Sequence, residues 1–105
     1  LYATQIEWLL QQYESDQLLV LQYEACAADP AAQLARTHEY LGLEPHPLPA
    51  EELARPRNKS KLEKVSVPAE HIDLLRHYYT PEVERLRALV PDLDHSLWPN
   101  FGDVM

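Results

Sequence analysis

The sequence predicts an α/β fold: mostly helices, with one buried strand belonging to a parallel sheet. Three observations lead there. Leu18-Leu19-Val20-Leu21-Gln22-Tyr23 is a short, nearly continuous apolar run bounded by polar residues, which is how a strand covered on both faces reads, a buried helical turn being the competing reading. Stripes of helical period lie on either side of it. Cap and proline signals then punctuate the remainder into further helices.

The first helix is expected from residue 1, where Tyr2, Ile6, Leu9, Leu10 and Tyr13 recur on one face. No capping residue precedes it, and the chain opens on leucine. We therefore expect a chain taken from a longer protein. Glu14-Ser15-Asp16 closes the helix in a polar turn. After the strand, Asp29-Pro30 marks a helix start, with aspartate as N-cap and proline at the first helical position. Ala31, Leu34, His38 and Leu41 form its inward stripe, and Gly42 ends it. Pro45, Pro47, Pro49 and Pro56 make the next stretch a loop, with room for one turn near Glu51–Ala54. Ser66 to Glu70 opens a helix carrying Ile72, Leu75 and Tyr79, broadened by Leu74 and Tyr78. Thr80-Pro81-Glu82 is expected to break or kink it and to start another, with Val83, Leu86 and Val90 inward. Leu93, Leu97, Trp98 and Phe101 in the tail are expected to anchor against the core.

At 105 residues the chain is one small domain at most. A lone buried strand would leave backbone groups unpaired at roughly 1–3 kcal/mol each, so its neighbours are expected outside this sequence. The single cysteine, Cys26, forms no internal disulfide and no leader is visible. Both fit a reducing, cytoplasmic location. No run approaches the length of a membrane span.

The net charge of −8 argues against a general nucleic-acid binder. It is unevenly placed. Arg55, Arg57, Lys59, Lys61 and Lys64 fall within ten positions opposed only by Glu63, so this segment carries +4 and the remainder −12. Such a segment, with prolines flanking it, either balances an acidic surface as a solvated turn or binds an anion. The five histidines show neither HxxxH nor HExxH spacing, so no zinc site is expected. His38 reads as a packed histidine on its helix stripe. Gln22, Tyr23 and Glu24 stand at the carboxyl end of the expected strand, where ligands gather in open α/β sheets. Packing for Tyr23 and a turn or cap contact for Glu24 are the favoured roles.

Three stretches, in order, resemble the C-terminal part of the sulfotransferases that use 3′-phosphoadenosine 5′-phosphosulfate (PAPS). Leu1 to Leu9 leading into Gln17 to Glu24 is similar to a YxxxLxxWL helix followed by LLVLRYEDL. Asp29-Pro30 through Tyr40-Leu41-Gly42-Leu43 is similar to DPxxxLxxxxxFLGL. Asn58-Lys59-Ser60-Lys61, then Leu74 to Glu82 and Leu97-Trp98, resembles a basic loop followed by LxxxYxPxxxxL and a tail. Gln22, Ala25-Cys26 and Leu62-Glu63 depart from the pattern.

The resemblance implies a P-loop-like parallel-sheet fold, with residues 1–105 as the C-terminal part of a single domain. It implies sulfuryl transfer from PAPS to a hydroxyl or amine of a small-molecule, glycan or lipid acceptor. Nucleotide contacts would come from Arg57, Asn58, Lys59, Ser60 and Lys61, without a metal. The phosphosulfate-binding loop and the catalytic base would lie in an N-terminal part of the same protein, so this segment alone is expected to be inactive. Only Gly42 and Gly102 occur here, and no Gly-rich phosphate loop. The competing reading is a non-enzymatic interaction module that uses an exposed strand edge and the basic loop. A third is a phosphate-binding kinase relative built on the same sheet.

Overall fold

The structure is a computed structural model and describes residues 1–55 and 60–102. Among the described residues five α-helices form: α1 (Tyr2–Gln12), α2 (Tyr23–Ala28), α3 (Pro30–Tyr40), α4 (Ala50–Leu53) and α5 (Ala69–Leu89). Short 3-10 turns add Ser15–Gln17, His95–Leu97 and Pro99–Phe101. The chain divides into two compact units, Leu1–Val20 with Val67–Met105, and Leu21–Ser66.

The α/β expectation is overturned: among the described residues there is no strand and no sheet, and the regular structure is all helical. The backbone is extended at Leu18 (φ −117°, ψ 127°) and at Gln22 (φ −86°, ψ 124°). The β-rich composition therefore expresses itself locally. A strand, however, exists only through ladder hydrogen bonds to a neighbour, and among the described residues none pairs with this run in a ladder. Leu18, Leu19 and Val20 are half-buried and Leu21 is exposed. Tyr23, expected to end the strand, instead opens α2. The strand edge that the interaction-module reading required falls with the strand.

In the first unit, α1 packs on the C-terminal half of α5. Ala3, Leu86 and Leu93 form the core, with Ile6, Leu89, Val90 and Trp98 packed around it. Ala3 is fully buried, and its small side chain lets the two helices approach closely. The face of α1 that packs is thus Ala3 and Ile6, with Leu10 half-buried, while Tyr2, Leu9 and Tyr13 of the expected stripe are exposed. Tail anchoring holds: Leu93 is buried, and Leu97, Trp98 and Phe101 are half-buried. The Arg76 guanidinium Nε donates to the Asn100 carbonyl at 2.7 Å, which ties the tail to α5.

Helix α5 runs unbroken through Pro81. Proline cannot donate to the His77 carbonyl, yet the stripe Ile72-Leu75-Tyr79-Val83-Leu86 keeps one helical register across it. The Thr80 hydroxyl donates to the Arg76 carbonyl at 2.7 Å, adding a contact beside the proline. Only the C-terminal half of that stripe is covered, since Ile72, Leu75 and Tyr79 remain exposed.

In the second unit, α3 has the start and stop its sequence dictates. Asp29 accepts the Ala32 amide at 3.1 Å and Pro30 occupies N1. Gly42 sits at φ +70°. The Gly42 amide donates to Glu39 at 3.1 Å and the Leu43 amide to His38 at 2.9 Å, the paired bonds of a Schellman stop. The expected inward stripe is only partly seated: Leu34 and His38 are half-buried, whereas Ala31 and Leu41 are exposed. The turn expected near Glu51–Ala54 is α4. Because the Gly42 conformation is left-handed, Gly42→Ala is expected to cost about 1 kcal/mol although open space surrounds the site. A thermal melt followed at 222 nm checks this, and an unchanged midpoint would refute it.

Candidate functional site

The basic segment follows α4. Pro49 stands at the N-cap, and the helix ends at Ala54. Arg55 lies 3.8 Å from Glu52 in an exposed pair, a geometry that contributes little to stability. Arg57, Asn58 and Lys59 lie outside the described residues. Ser60 and Lys61 are described: both are exposed and neither is helical. The Ser60 hydroxyl oxygen accepts the Leu62 amide at 3.2 Å, a local serine turn. That leaves its O–H proton to donate elsewhere. Lys61 and Lys64 extend the positive stretch on exposed backbone, with Leu62 exposed between them and Val65 exposed just after.

Chemically, Ser60 and Lys61 offer one hydroxyl donor and one ammonium at adjacent positions. This donor set suits phosphate or sulfate oxygens. It supplies no acid–base pair.

The other singled-out residues are placed as follows. Gln22 is buried at the N-cap of α2, Glu24 lies in the first turn, and Tyr23 is 81% exposed. Tyr23 therefore does not pack as expected, because a helix start turns it outward where a strand would have buried it. The His38 Nδ1 accepts the His46 amide at 3.4 Å, so this half-buried histidine holds the loop after α3. Among the described residues no group of three or more His, Cys, Asp or Glu is placed to hold a metal ion. No helix among them is long and apolar enough to cross a membrane.

Sequence reasoning missed the one carboxylate that is buried among the described residues. Glu82 was expected only as part of the Thr80-Pro81-Glu82 break or kink. It stands mid-helix in α5, and its Oε1 accepts the Ala3 amide at 2.8 Å. Its Oε2 lies 3.2 Å from Arg85 Nη1, and Arg85 Nη2 lies 2.6 Å from Glu7 Oε2. Glu82 thus caps α1 from another helix. The signal was present as a demand: α1 has no capping residue of its own, and its first amides need an acceptor. With both oxygens so engaged, Glu82 is a structural group.

Compared with known proteins, the chain matches no family model, no curated protein and no solved structure.

Proposed function

We propose that this chain is the C-terminal part of a PAPS-dependent sulfotransferase, and that residues Arg57 to Lys61 contribute to its nucleotide site. The observation that carries the reading is the +4 segment inside an acidic chain, with Asn58-Lys59-Ser60-Lys61 in the order the family resemblance asks for. The donor set of Ser60 and Lys61 is compatible with it. The stop at Gly42 and the single helix spanning Leu74 to Glu82 accord with the second and third resembling stretches, though neither is specific to this family.

PAPS, when bound, supplies the sulfuryl group that passes to a hydroxyl or amine acceptor. The residues of this chain do the binding. Lys59 and Lys61 neutralise phosphate oxygens, Ser60 donates a hydrogen bond, and Arg57 offers a planar fork. Cations so placed also stabilise charge growing on the phosphate side during in-line transfer. The catalytic base, the acceptor pocket and the rest of the nucleotide site belong to the remainder of the protein in this reading, so the chain by itself transfers nothing.

Lys59→Ala combined with Lys61→Ala, made in the complete enzyme, is expected to weaken adenosine 3′,5′-bisphosphate binding roughly tenfold or more, since charge-assisted hydrogen bonds contribute about 1.5–3 kcal/mol each. Isothermal calorimetry reads it directly. An affinity equal to the unmodified enzyme removes these lysines from the site.

A further inference from the structure

We draw no further inference here: the strongest candidate, the pair of exposed apolar helix faces at Tyr2, Trp8 and Leu9 on α1 and at Ile72, Leu75 and Tyr79 on α5, carries nothing because nothing in the structure shows what covers either face.

Discussion

Leu86→Ala is expected to lower the stability of the α1–α5 unit by about 2–4 kcal/mol, the range for truncating a leucine in a core that collapses only in part. The effect is large because so little else is buried. Only Ala3, Val83, Leu86 and Leu93 form the buried apolar set among the described residues, and Leu86 touches both helices and the tail. A unit of this size is stable by roughly 3–9 kcal/mol, so the loss consumes a large share and moves the melting midpoint by about 10–25 °C. The matched comparison is Leu74→Ala on the same helix, 67% exposed, where the change should stay within about 0.5 kcal/mol. Thermal unfolding at 222 nm separates the two. Equal midpoints for both variants would mean that α5 does not bury the face seen here.

What the sequence made legible were features set by a few adjacent residues. Asp29-Pro30 and Gly42 delimit α3 as read, because an N-cap acceptor and a left-handed stop are local devices. The tail anchors also held, with Leu93 in the cluster of Ala3 and Leu86 and Trp98 packed against it. Features that depend on distant partners were misread. The apolar run at Leu18 is extended but unpaired, because periodicity reports burial preference and cannot report whether a neighbour exists. On α1 both faces are apolar, so period alone did not decide which would pack; tiny Ala3, absent from the expected stripe, was the residue that closed on α5. Pro81 was read as a break or kink, yet the register on either side is common and α5 continues through it.

The loss of the strand bears on the functional reading. An interior strand with neighbours elsewhere was the physical reason for expecting an enzyme scaffold, and that reason is gone from this structure. The proposal now stands on the order of three sequence stretches and on the charge of one segment. Of the five residues it assigns to the nucleotide, Ser60 and Lys61 lie on described, exposed backbone, and Arg57, Asn58 and Lys59 lie outside the described residues. The lysine pair variant is therefore the decisive measurement for function. The stability variants test only the frame.

Glu82→Ala should be the second severe substitution, at about 2–3 kcal/mol. Glu82 is among the few buried polar residues described, and its side chain joins two helices seventy-nine positions apart in sequence. Removing it strands the Ala3 amide at a fully buried residue, at roughly 1–3 kcal/mol, and leaves Arg85 held by Glu7 alone among its carboxylate partners in this cluster. The exposed Arg85–Glu7 contact adds only a few tenths. Glu82→Gln separates the two roles, because its amide oxygen still accepts the Ala3 N–H while the charge facing Arg85 is gone. It should recover more than half of the loss. If the cap is what matters, a double-mutant cycle between Glu82→Ala and Arg85→Ala gives a coupling well below the cost of Glu82→Ala alone. A Glu82→Gln variant as unstable as Glu82→Ala would show instead that the ion pair, and not the capped amide, holds α1 on α5.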